Sequence, residues 1–153
     1  MISYEKARQS FRTLTIVSIV INIFLIILGV LSILSLFTIK AVIDNEDFVS
    51  QYSTQDLELL QQSTTNVAIV WIGLALVASI TILIFSFINL SRLKNKLTLY
   101  YIPFYIGIAL CLINTIYNFL SSFSLWSFVI QVLIATLYAY TYTRAKLLNN
   151  QKD

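Results

Sequence analysis

Five side-chain amides, Asn22, Asn89, Asn114, Asn118 and Gln131, sit inside long apolar stretches of this chain. An amide both donates and accepts hydrogen bonds. In apolar surroundings it can therefore bridge two helices or line a polar path. A second group, Asp44, Glu46, Asp47, Asp56 and Glu58, gathers five of the seven carboxylates into one interval. Clustered carboxylates suit hard cations, but the glycine and ligand spacing of an EF-hand loop are missing. A solvated acidic loop facing an external partner is the expectation.

Other chemistry lacks its parts. The chain has no His and a single Cys, Cys111, so zinc, haem and intramolecular disulfides have almost no ligands or partners to draw on. The serines have no histidine to act as base, and no lysine shares their apolar stretches, so no activated nucleophile is expected. Neither a glycine-rich phosphate loop nor a nucleophile elbow is present. The expectation is a protein that is not an enzyme, with no catalytic residues, no metal and no cofactor.

The elements that must position the amides are legible from charge. Residues 14–39, 67–90, 100–120 and 125–143 contain no Asp, Glu, Lys, Arg or His. A hydrocarbon layer of about 30 Å needs roughly 20 helical residues at 1.5 Å each. The first three stretches meet that length and the fourth is close. Backbone groups in lipid must be paired within the segment, so each stretch should be a helix. The fold class expected is all-α: one integral membrane domain over residues 1–153, built as a four-transmembrane-helix bundle. The 26-residue first stretch is too long for the apolar region of a cleavable signal.

Nine of the ten basic residues fall in three places: Lys6, Arg8 and Arg12; Arg92, Lys94 and Lys96; Arg144, Lys146 and Lys152. By the positive-inside rule these flanks lie in the cytoplasm. Both termini should then be cytoplasmic and the acidic segment 40–66 should be the outer loop. The overall +3 charge is thereby explained by topology, and no nucleic-acid partner is expected. Trp71 and Trp126 fall in the outer half, while Tyr100, Tyr101, Tyr105, Tyr138, Tyr140 and Tyr142 gather towards the inner one. That is the arrangement of an interfacial aromatic belt. Within the outer loop, Ser53 followed by Asp56 resembles a helix-capping pair and predicts a short helix over about 54–63. Residues 147–153 read as a polar tail.

Each span carries small or polar residues at spacings of three and four: Thr15, Ser18, Asn22, Gly29 and Ser32; Ala68, Ala75, Ser79, Ser86 and Asn89; Pro103, Gly107, Cys111, Asn114 and Asn118; Ser127, Gln131, Ala135, Tyr138 and Tyr142. In lipid, helices associate through close approach at small residues and through hydrogen bonds. These seams should face inward. Asn114 and Gln131 each lie roughly 9 Å inside the outer end of their spans. They are expected to face each other across the hairpin, with Asn118 a turn above. Pro103 should mark a helix start, where its missing N–H is harmless.

No span holds a carboxylate, histidine or lysine, so the usual carriers of proton-coupled transport are missing. The function expected is that of a non-enzymatic multi-pass protein of the plasma membrane that binds a membrane partner. It would be an accessory subunit of a transporter or cell-envelope complex, or an immunity-type protein. The alternative is a small autonomous transporter or channel for a neutral or lipidic substrate, built as a homo-oligomer with the five amides lining its path. The partners expected are the lipid bilayer and a membrane protein or further copies of the chain. The Ile-, Asn- and Lys-leaning composition suggests a bacterial source.

Overall fold

A computed structural model describes residues 4–43, 45–120 and 124–151. Six helices and no strand occur among them: α1 Tyr4–Val42, α2 Glu46–Val49, α3 Thr54–Ser63, α4 Asn66–Lys94, α5 Ile102–Leu120 and α6 Leu125–Asn150. Four of these, α1, α4, α5 and α6, are long and apolar enough to cross a membrane. The all-helical, four-span class read from the sequence is therefore the class observed.

Two of the spans extend well beyond the apolar stretches. The 39 residues of α1 make a rod of roughly 58 Å, about twice the hydrocarbon thickness. The basic lead-in is thus the first three turns of the same helix. Likewise α6 continues to Asn150, so most of the expected polar tail is helical.

Two compact units can be distinguished, residues 1–23 with 78–153, and residues 24–77. In the first unit, segments of all four spanning helices surround one apolar core: Ala7, Phe11, Ile82, Leu93, Leu99, Phe104, Tyr138, Ala145 and Leu148. Phe11 meets Phe104 edge to face, with ring centroids 6.2 Å apart, a favoured aromatic geometry. The α1 stripe that enters this core is Ala7, Phe11, Thr15, Ser18 and Asn22, all buried. Its steps of three and four residues place it on one helix face. The expected seam therefore holds here and begins two turns earlier than the apolar stretch does.

The second unit comprises the remainder of α1, helices α2 and α3, and the start of α4. Gly29 lets the two long helices approach: a Cβ there would lie 2.7 Å from Leu76 Cδ2. At the end of the approach, Lys40 Nζ donates to Asn66 Oδ1 at 3.0 Å. The seam fades in this unit. Ser32 is exposed and satisfies itself by donating to the Leu28 carbonyl, as a helical serine can.

The short helix α3 covers the segment expected from its cap. Ser53 Oγ accepts from the Asp56 N–H at 3.2 Å and donates to Asp56 Oδ2 at 2.6 Å. Helix α2 has a cap of its own, in which Asn45 Oδ1 accepts from the Asp47 N–H at 2.9 Å. Sequence reading did not anticipate this turn.

Candidate functional site

The polar residues of the first unit form three layers. In the first layer, Asn22 Nδ2 donates to the Ser18 carbonyl at 2.8 Å and to the Tyr138 hydroxyl at 2.7 Å. The second bond ties α1 to α6. Asn22 Oδ1 is buried and has no partner. The Tyr138 ring lies close against Gly107, where a Cβ would fall 2.5 Å from two of its carbons. Glycine is required at this position because three helices converge on one ring. Tyr138 is almost fully buried, so it belongs to the seam and not to the interfacial belt in which it was also placed.

The second layer is built around residues 95–101, which join α4 to α5. Helix α4 ends in a Schellman motif: the Leu97 N–H reaches the Arg92 carbonyl at 2.8 Å and the Lys96 N–H reaches the Leu93 carbonyl at 3.4 Å. Lys96 takes φ 54° at the position where glycine is usual. Two asparagines then hold the extended segment as a partner strand would. Asn89 Nδ2 donates to the Tyr100 carbonyl and Asn89 Oδ1 accepts from the Tyr100 N–H, both at 2.8 Å. Asn149 does the same for Leu99, at 2.8 and 3.1 Å. Its Nδ2 also reaches the Tyr101 hydroxyl at 2.8 Å. Arg92 adds a contact to the Thr98 carbonyl and lies over the Tyr100 ring, 4.3 Å from its centroid. The tyrosines expected at this end do cluster: Tyr101 and Tyr105 both pack on Tyr142, with centroids 5.2 and 5.4 Å away.

The third layer closes the α5–α6 turn. Asn118 Nδ2 donates to the Ser124 carbonyl at 3.1 Å and Asn118 Oδ1 accepts from the Ser124 N–H at 2.9 Å. Residues 121–123 of the expected tight turn lie outside the described residues.

The five amides singled out from sequence therefore do not form one cluster. Asn22, Asn89 and Asn118 are buried at three depths, each bonded to its own partner. Asn114 and Gln131 are half-buried and share no hydrogen bond, so the pair expected across the hairpin does not form. Asn118 satisfies the turn instead, because it lies one helical turn nearer to the free backbone groups of Ser124. Asn149 was missed because it follows the last apolar residue. Its signal was periodicity: Tyr138, Thr141, Ala145, Leu148 and Asn149 continue one buried face of α6.

The acidic group is placed on the two short helices. Glu46 and Asp47 occupy the first turn of α2, and Asp56 that of α3. Acids there interact favourably with the helix dipole. These three and Glu58 are exposed, and Asp44 lies outside the described residues. Cys111 is a free, buried thiol. No family model matches the chain, and neither do any curated protein or solved structure.

Proposed function

We propose that this chain is a non-enzymatic multi-pass protein that works by binding another membrane component. That component would be a transporter or envelope complex to which it is an accessory subunit, or a membrane-active toxin against which it gives immunity. The observation that carries this reading is the sparse packing of the second unit. Among its described side chains only Leu36 and Thr64 are buried. Val67, Val70 and Leu74 are more than half exposed and line, with Asn66 and Trp71, an open cleft of about 320 Å³. Helices in lipid associate by van der Waals packing and interhelical hydrogen bonds. This pair of helices has used little of its surface that way, so a further helix can pack against it. The exposed acids Glu46, Asp47, Asp56 and Glu58 supply a polar contact surface in the same unit.

The pore alternative draws less support. Asn22, Asn89 and Asn118 hold partners within the chain and sit at separate depths, so they do not line a common path inside one molecule. We further assign the chain to the plasma membrane, with both termini cytoplasmic, on the distribution of its basic residues. In a Cys111→Ser background, an impermeant maleimide applied outside should label Glu58→Cys and leave Lys146→Cys unlabelled.

A photo-crosslinking residue at Val70 or Leu74, activated in native membranes, tests the partner itself. A stoichiometric adduct to a second protein, lost on deletion of residues 44–58, is expected. Adducts to lipid alone would end this reading, and adducts to a second copy would move the weight to the homo-oligomeric transporter.

A further inference from the structure

Within the first unit, the start of α1 and the end of α4 line a cleft of about 830 Å³ whose walls include Arg8, Arg12, Ile16, Leu90, Leu93 and Lys94. We propose that this cleft binds one anionic phospholipid, with its phosphate among Arg8, Arg12 and Lys94 and an acyl chain along Ile16 and Leu90. The site is distinct from the acidic outer surface and does not depend on a protein partner.

Four observations carry it. First, the charges are one-sided: four cations face a single carboxylate, Glu5. Second, no ion pair or hydrogen bond engages Arg8, Arg12 or Lys94 among the described residues. An arginine used for structure normally has a carboxylate, a carbonyl or a ring beside it, as Arg92 and Arg144 do here. Third, the groups are graded along the helix. Arg8, Arg12 and Ile16 follow at intervals of four on one face, and Ile16 is the first of the lining residues to lie inside the apolar stretch. From Arg8 to Ile16 is roughly 12 Å along the axis, enough to take a headgroup at one end and the upper acyl carbons at the other. On α4 the order is matched, with Lys94 last and Leu90 one turn deeper. Fourth, the floor is firm, since Leu93 is buried in the core of the unit.

Arginine presents paired N–H donors that fit phosphate oxygens. A soluble phosphate would use the cations and leave the apolar wall empty. A zwitterionic lipid would fill the wall but place a quaternary amine among guanidinium groups. An anionic phospholipid satisfies both ends.

The test is native mass spectrometry of the intact protein, released from nanodiscs or detergent. Dioleoyl-phosphatidylglycerol is titrated against dioleoyl-phosphatidylcholine, with inorganic phosphate as competitor. Wild type should retain one phosphatidylglycerol in preference to phosphatidylcholine. A cation near a membrane surface contributes about fivefold in affinity for anionic lipid, so Arg8→Gln with Arg12→Gln should lower retention by roughly 25-fold. The conservative Arg8→Lys, Arg12→Lys pair should keep most of it and guards against a folding defect. Lys96→Gln with Lys146→Gln removes equal charge outside the cleft and should leave retention unchanged. Equal retention of both lipids overturns the proposal, as does an equal loss in the Lys96/Lys146 control. Displacement of the lipid by millimolar inorganic phosphate would reassign the cleft to a soluble anion.

Discussion

Gly107→Ala should destabilise the protein by about 1–3 kcal/mol, although alanine is the better helix former. The substitution adds one methyl group to α5. That carbon would stand 2.5 Å from Tyr138 Cδ2 and Cε2 and 2.7 Å from Cζ, against a normal carbon contact of roughly 3.5–4.0 Å. The ring would have to retreat by about 1 Å. It is almost fully buried, and its hydroxyl is held by Asn22 at 2.7 Å. Overpacking of this kind costs about 1–3 kcal/mol. Breaking the interhelical bond adds on the order of 0.6–1.7 kcal/mol. The intrinsic preference of a helix for alanine over glycine returns only about 0.5–1 kcal/mol. The clash therefore wins, with a net loss near 2 kcal/mol. Reversible unfolding in mixed micelles, titrated with a denaturing detergent, would measure it. Tyr138→Leu is the necessary partner variant, because without the ring the added methyl meets no obstacle. In that background Gly107→Ala should be neutral or stabilising, giving a coupling of at least about 1 kcal/mol in the double-mutant cycle. Equal penalties in the two backgrounds, or a more stable single variant, would refute the reasoning.

The same unfolding assay checks three further expectations. Asn118→Leu should cost about 1–3 kcal/mol by stranding both backbone groups of Ser124, while Asn114→Leu should stay within about 0.5 kcal/mol because Asn114 holds no bond; the reverse order would restore the Asn114 staple. Asn149→Ala removes three hydrogen bonds from the α4–α5 connector and should lose about 2–4 kcal/mol, with Asn149→Gln losing nearly as much because the longer side chain displaces the amide from the Leu99 backbone. Lys96→Gly should raise stability by about 0.5–1 kcal/mol, since the left-handed conformation at φ 54° strains any residue with a Cβ; no gain would mean that the Lys96 side chain has a compensating contact.

The polar groups of the spans divide by the kind of partner they need. Thr15, Thr141 and Thr136 return their hydroxyls to carbonyls four residues back, a local solution open to any helical threonine. Asparagine cannot close both of its functions within its own helix. At Asn89, Asn118 and Asn149 it takes the N–H and the C=O of one loop residue instead. The backbone of the connectors at both ends of α5 is thereby paired without a neighbouring strand or helix backbone to supply the partners.

Much of this was legible in advance. Four spans follow from uncharged lengths, and α3 follows from Ser53 and Asp56. Pro103, in the first turn of α5, marks a helix start as expected. The inward seams were visible in part: within the first unit Thr15, Ser18, Asn22, Ser79, Ser86, Asn89, Gly107, Cys111 and Tyr138 are buried, whereas Asn114, Ser127, Gln131, Ala135 and Tyr142 are half-buried. Other features could not be read. Lys96 stands where a glycine would have announced a helix end. Asn149 follows the apolar stretch, so hydropathy gave no reason to look there. Nothing in the periodicity of α1 shows that its seam closes at Asn22 and opens at Ser32.

By itself the sequence determined the number and helical character of the spans, because bilayer thickness and the need to pair every backbone group act on each segment separately. Tertiary structure alone decided which amide meets which partner. Hydrogen bonds between elements depend on the relative rotation and depth of neighbouring helices. Those are set by the packing of many side chains at once, as where the Tyr138 ring settles on Gly107 and brings its hydroxyl to Asn22.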